Sequence, residues 1–337
     1  MRHDGIMRLV TFETTTERGP VLRLGALAPV GGVETVVDLQ LACLAHLTAS
    51  RGSTEASRIA ETNVPSVMER FIAGGAESLA AAAAALDFAR EMAPNQTAGP
   101  AGRTIAHSLE AVRLLPPLVP NSLRDFVAFE DHARAGATRR GEDLQPTWFE
   151  RPIYYKGNHR SLLGPDEPLR RPAFTKELDF ELEVACIVAA DIIDASEDDA
   201  GAAIFGYTIM NDWSARDVQR AEMTSRLGPT KSKDFATSIG PCILTADEAG
   251  PNPAFKMSAR VNGEVVCEAN LAKAHWTFPK MISFVSQGEL VHATDLYGSG
   301  TPFGGCMLDR GVPYLEPGDV VELEVEGIGV LRNEVVA

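Results

Sequence analysis

The stretch Leu178–Val188, reading LDFELEVACIV, limits what this chain can fold into more than any other. Side chains alternate along a strand, so residues two apart share a face of the sheet. Glu181 and Glu183 therefore fall on one face, and Phe180, Leu182, Val184, Cys186 and Val188 on the other. From Val184 onward both faces are apolar, the pattern of a strand that runs into a covered core. Two like charges at the mouth of a core are costly unless a cation, a proton or a donor cluster offsets them. Alone, the segment reads either as a half-exposed strand with its acids in solvent or as one wall of a divalent-metal site.

Partners for the two acids come from elsewhere in the chain. In Gly206–Gln219, GYTIMNDWSARDVQ, an apolar strand ends at Asn211-Asp212, and Ser214 with Asp217 resembles a capping box that opens a helix. Asp212 is then a turn residue or a third oxygen ligand, and three carboxylates with water suit Mg2+, Mn2+ or Ca2+. Arg216 and Gln219 share a helix face, where Arg216 suits a substrate carboxylate or a surface ion pair equally. Upstream, Asp125 precedes His132 in RDFVAFEDHA, and a histidine beside a metal-polarised carbonyl can take a proton from water. Lys231, in TKSKDFATSIGP just before a strand, gains meaning only in that company. Phosphate-loop, H-E-x-x-H and EF-hand patterns are absent, and ATSIG approaches the serine-hydrolase elbow with Ala236 in the first glycine position.

Charge and cysteine usage exclude whole classes of partner. Lys plus Arg total 31 against 46 Asp plus Glu, a net charge of −15, which repels nucleic acid and anionic membrane. An anionic substrate then needs a locally positive pocket. Cys43, Cys186, Cys242, Cys267 and Cys306 lack C-x-x-C spacing and read as small core residues in a reducing compartment. The opening MRHDGIMRLV lacks the apolar core of a signal peptide, and the run Leu79–Leu86 is too short to span a bilayer, so the expected location is cytoplasmic.

Read in order, strands are expected at Met7–Phe12, Val21–Ala26 and Val33–Asp38, then helices at Leu39–Thr48, Pro65–Ala73 and Glu77–Met92. Residues 93–121 are looser, and LLPPLVP at Leu114–Pro120 marks a junction between a small N-terminal domain, 1–118, and a larger one, 119–337. The second part reads as mainly β, with strands at Asp179–Ala190, Ala203–Met210, Ser238–Leu244, Lys256–Val261, Glu264–Asn270 and Asp319–Val325. Asn262-Gly263 is a hairpin turn between two of them, Phe278–Gln287 a helix and Glu197–Ile204 a short one.

The ordered motifs RDFVAFEDHA, YYKG, DFELEVACIV, GYTIMNDWSARDVQ, TKSKDFATSIGP, GSGTPFGG and PGDVVELEVEGIGVLRN resemble the fumarylacetoacetate hydrolase family over roughly the last two-thirds of the chain. The resemblance implies an α+β, mainly β fold: a mixed β-sandwich roll as catalytic domain behind a small N-terminal α+β domain. It implies Glu181, Glu183, Asp212 and Asp125 as ligands of a divalent metal and His132 as the base that activates water. Arg216, Gln219, Tyr155 and Thr301 match substrate-binding residues and Lys231 a catalytic one. Asp309, in CMLD, is the nearest acidic partner for His132, although the family hydrolase has Glu there and the alignment needs a gap. Val127 and Met223 stand where that hydrolase has tyrosines, so a different or smaller substrate than fumarylacetoacetate is expected.

The reaction this implies is metal-dependent hydrolytic C–C cleavage of an anionic 1,3-dicarbonyl acid, an acylpyruvate or a fumarylacetoacetate-like compound, in aromatic or sugar-acid catabolism, by a homodimer. Oxaloacetate decarboxylation, or hydration or isomerisation of a 2-oxo-alkenoate, proceeds through the same enolate and is the alternative. A non-catalytic metal-stabilised ligand-binding protein is a third reading, which retention of His132 and Lys231 disfavours.

Overall fold

The computed structural model describes residues 7–16, 19–51, 53–92 and 99–337, and the chain forms two compact units. The reading of the opening residues 1–6, and that of 93–98 as a loose segment, lie outside the described residues. The first unit runs to Leu118 and also takes Cys242–Glu248; the second is Val119–Pro241 with Ala249–Ala337.

In the first unit, β1 (Arg8–Thr16), β2 (Gly19–Val30) and β3 (Val33–Asp38) form an antiparallel meander. Gly31 and Gly32, both at positive φ, turn β2 into β3. Helices α1 (Leu39–Arg51), α2 (Ser53–Asn63), α3 (Met68–Ala73) and α4 (Gly75–Arg90) follow. Buried Asp38 starts α1 by accepting from the Leu41 N–H at 2.9 Å, and Arg23 grips the same carboxylate at 2.7 and 3.0 Å. Strands β1 and β2 outrun the expected segments because backbone pairing continues beyond their apolar stretch. Helix α3 starts at Met68 rather than Pro65, which lies in the link before it.

The second unit holds, in chain order, β4 (Leu123–Phe126), α5 (Glu130–Arg139), β5 (Tyr154–Gly157), β6 (Leu182–Val188), α6 (Glu197–Ala202), β7 (Ile204–Asn211), α7 (Arg216–Met223) and the start of β8 (Thr237–Thr245), whose residues from Cys242 onward count with the first unit. Then come β9 (Lys256–Val261), β10 (Glu264–Asn270), α8 (Phe278–Ser286), β11 (Leu296–Gly298), α9 (Met307–Arg310), β12 (Val320–Val325) and β13 (Gly329–Val336). One sheet runs β8-β7-β6-β11-β4-β5. Strand β6 is antiparallel to β7 and β11, whereas β11 and β4 are parallel. A second sheet runs β10-β9-β12-β13, closed at one turn by Asn262 and Gly263, both at positive φ. Along β12 every second residue is buried, and Val321, Leu323 and Val325 line the core with Met257 and Ala259 of β9. Strand β6 is buried from end to end, as a strand with neighbours on both edges and covered faces must be. The fold is mixed and mostly sheet, as the family resemblance implies.

All five cysteines are buried, and none is joined in a disulfide. Among the described residues no helix is long and apolar enough to cross a membrane.

Candidate active site

The strand order of the first sheet explains why acids distant in sequence meet. Glu183 lies near the start of β6, Asp125 on β4, and Asp212 just beyond the end of β7, while Glu181 sits in the lead into β6. Strand β11 separates β6 from β4, and its register sets Gly298 opposite both Ala185 and Asp125. A Cβ at Gly298 would stand 2.5 Å from Asp125 Oδ1 and 2.9 Å from Glu183 Oε2, and would overlap the Met210 side chain. Only glycine lets the two carboxylates close over the intervening strand. Gly298→Ala is expected to fold with about 1–3 kcal/mol less stability and to lose any rise in melting temperature on adding Mg2+ or Mn2+. An undiminished cation effect in a thermal melt would contradict this.

One carboxylate oxygen from each of Asp125, Glu181, Glu183 and Asp212 lies within 4.8 Å of the others. All four residues are 6% exposed or less. Lys233 donates to Glu181 Oε2 at 2.6 Å and to Asp212, while Arg216 donates to Glu181 Oε1 at 2.7 Å and to Asp179 at 2.8 Å. Two cationic groups among so many carboxylates leave an excess of negative charge. Asp125 Oδ1, Glu183 Oε1 and Asp212 Oδ1 are buried without a hydrogen-bond partner among the described residues. Buried unpaired carboxylate oxygens, all hard donors, fit a divalent cation such as Mg2+, Mn2+ or Ca2+.

Electrostatics follow the same division. Burial, then repulsion from Asp212, raises Asp125 well above the ordinary carboxylate range. Burial, then Asp125 and Asp212, does the same to Glu183. Burial also pushes Glu181 up, but Lys233 and Arg216 outweigh it and hold that carboxyl below its usual value. Lys233 in turn is desolvated, yet Asp212 and Glu181 keep it above the ordinary lysine range, so it is an ammonium at neutral pH. Asp125 and Glu183 thus bind protons more tightly folded than unfolded. Their contribution to stability is present below the unfolded value of about 4 and is lost as pH rises toward their raised values. A divalent cation held by these carboxylates would replace those protons. Its stabilising effect in thermal melts is therefore expected to grow with pH across the acid-to-neutral range; a pH-independent increment would refute the coupling.

Beside this cluster stands a histidine–carboxylate pair. His132, on the first turn of α5, places Nδ1 2.7 Å from Oδ2 of Asp309 on α9. The Asp309 side chain is fully buried, accepts the Gly304 N–H at 3.1 Å, and sits 2.9 Å from Arg139 Nη1. Burial raises the Asp309 carboxyl, but the hydrogen bond and charge of His132 lead the effects that bring it below its usual value. Asp179 joins the two halves: it accepts from Arg216 Nε and from the backbone N–H groups of Met307 and Leu308 that open α9.

Most of the expected site residues come together, with changes of role. Tyr155 donates to Asp212 at 2.8 Å, and Thr301 is buried with Oγ1 unpartnered among the described residues. The lysine in the site is Lys233; Lys231 is exposed, its ammonium 5.4 Å from the centre of the Phe174 ring. The turn before β8 sends the second lysine of TKSKDF inward, a choice that no periodicity in a loop announces. Arg216 is 2% exposed and spends its three nitrogens on Asp179, Glu181 and Gln219, so it orients Glu181 instead of reaching for a substrate. Gln219 accepts from Arg216 at 3.0 Å. Ser214 does not cap α7: it pairs with Asp179 in a short ladder, and Asp217 accepts instead from Thr175 and the Lys176 N–H. Asp179, Gly298 and Arg139 were not singled out by sequence reasoning, although Asp179 opens the DFELE motif.

The family model described as fumarylacetoacetate (FAA) hydrolase C-terminal matches residues 122–336. The oxaloacetate tautomerase YisK of Bacillus subtilis is 26% identical over 273 residues, covering 81% of this chain and 87% of that protein. The fumarylacetoacetase of Arabidopsis thaliana is 30% identical over 265 residues, 60% of this chain and 61% of its own. In fold, the chain is similar to a solved fumarylacetoacetate hydrolase from psychrophilic Exiguobacterium antarcticum, with TM-score 0.69 and 23% identity over 98% of this chain and 99% of that one.

Proposed function

Because the chain belongs to the fumarylacetoacetate hydrolase family, we propose that it is a divalent-cation-dependent enzyme that moves a proton on a small, enolisable 2-oxo acid, as a keto–enol tautomerase or isomerase. The observation that carries this is the His132–Asp309 pair set beside an all-carboxylate cluster. A cation held by Asp125, Glu181, Glu183 and Asp212 would act as a Lewis acid toward a substrate carbonyl.

This chain's own groups supply the rest. With Nδ1–H donated to Asp309, the His132 imidazole keeps Nε2 as the acceptor that takes a proton from the substrate and returns it. An ammonium has three hydrogens, and Lys233 spends two on Glu181 and Asp212, leaving one for a substrate oxygen that gains negative charge. The Thr301 hydroxyl, buried and without a hydrogen-bond partner among the described residues, is a donor suited to a substrate carboxylate. In a chain of net charge −15, a divalent cation held by the carboxylate cluster would, together with Lys233 and Arg216, offset the negative charge that an anionic substrate meets there.

Tautomerisation is favoured over cleavage because the tautomerase relative spans more of this chain than the fumarylacetoacetase does. Val127 and Met223, both exposed and without hydroxyls, weigh against fumarylacetoacetate itself as the substrate. Hydrolytic C–C cleavage is the second reading, since a base held by a carboxylate also suits activation of water. The deciding experiment offers oxaloacetate, acylpyruvates, fumarylpyruvate and fumarylacetoacetate with Mg2+ or Mn2+. Loss of enol absorbance is followed, and products and deuterium uptake at the carbon next to the carbonyl are identified by NMR. Two acid fragments from an acylpyruvate, with oxaloacetate ketonised no faster than in buffer, would replace the first reading with the second.

A further inference from the structure

We propose that His132, Cys306 and Asp309 form a second metal site, suited to a borderline-soft divalent ion such as Zn2+, through which that ion shuts the enzyme off. One ligand atom from each of the three lies within 4.8 Å of the others. Cys306 immediately precedes α9, and Asp309 follows it by three residues, so both side chains lie on the same side of that turn. His132 approaches from α5 and already touches Asp309 at 2.7 Å.

The donor chemistry sorts the two sites. Asp125, Glu181, Glu183 and Asp212 offer only carboxylate oxygens, which suit Mg2+, Ca2+ or Mn2+. The other set offers nitrogen, sulfur and oxygen, and three such ligands with water in the fourth position make a common zinc environment. Cys306 is fully buried, but the His132 side chain is 16% exposed, which gives an ion a way in. Burial holds the Cys306 thiol protonated, helped by Asp179 and Glu181 against the pull of Arg216, so the thiol proton passes to solvent when the ion binds. An ion there takes the imidazole that the reaction needs as base. The inhibition rests on the proposed role of His132; the binding does not.

The test uses the full chain, as wild type and as Cys306→Ser, Cys306→Ala and Glu183→Gln. Co2+ titrated into each reports a thiolate ligand as a near-ultraviolet charge-transfer band. Zn2+ titrated against oxaloacetate turnover, with Mg2+ in excess, reports inhibition. The band is expected in wild type and Glu183→Gln and absent from both Cys306 variants. Their basal activity should be retained and their Zn2+ inhibition weakened at least about tenfold. Absence of the band from wild type, or equal inhibition in wild type and Cys306 variants, would overturn the proposal. A band in a protein that turns over none of the substrates would support the site and sink the role given to His132.

Discussion

Glu183→Gln is expected to abolish the rise in melting temperature that Mg2+ or Mn2+ gives the wild type, and to cut turnover by at least about a thousandfold. Glu183 is fully buried, and its Oε2 accepts the Gly300 N–H at 2.9 Å, a bond that the glutamine oxygen can keep. What the substitution removes is charge. A Lewis acid supplies several kcal/mol of transition-state stabilisation, and each 1.4 kcal/mol lost is about tenfold in rate. The chelated protein should behave oppositely. Asp125 and Asp212 repel Glu183, and both push its carboxyl upward, so neutralising it relieves a buried like-charge contact. The chelated variant is therefore expected to be at least as stable as the chelated wild type. The wild type alone gains about 2.7 kcal/mol at a cation concentration a hundred times Kd. Calorimetry with and without chelator checks both parts, and a cation-dependent shift that survives in the variant would remove these carboxylates from the metal site.

His132→Ala is expected to lower turnover by about 10²–10⁴-fold, the usual range for a lost general base, while leaving the cation-dependent melting shift in place. None of the metal-cluster hydrogen bonds runs through the imidazole, whose partner is Asp309. Asp309→Asn should lose less than His132→Ala, since the base remains but its orienting anion does not. Added imidazole should restore part of the activity of His132→Ala alone. Steady-state rates beside melting curves separate these outcomes. Loss of the cation shift along with activity would show that His132 is structural, and full activity would remove it from the mechanism.

Much of this site was legible because its signals are local. Alternation put Glu181 and Glu183 on one face, and both reach the cluster although only Glu183 lies within a regular strand. Asp212 was marked by the end of an apolar strand. The Asn262-Gly263 turn and the alternating β12 could be read directly, because hairpin geometry and half-buried strands depend on neighbours in sequence. Lys233 could not be read this way: two lysines two residues apart in a loop have the same chemistry, and only the path of the turn decides which is buried. Arg216 carried the right charge, but its partners Asp179 and Glu181 are 37 and 35 residues away. Gly298 was visible as part of a glycine-rich turn. Its purpose, to let Asp125 and Glu183 meet across β11, exists only in the assembled sheet.

The sequence by itself therefore determined the carboxylates, the histidine and the mainly β architecture around them, since residue chemistry and two-residue periodicity are written along the chain. The tertiary structure decided which groups face one another: Lys233 over Lys231, Arg216 turned inward, Asp309 against His132, and Cys306 beside both. Those choices depend on strand order and on which polar atoms are left unpaired once the sheet closes. Pairing across more than a hundred residues, as between His132 and Asp309, leaves no periodic trace in the sequence.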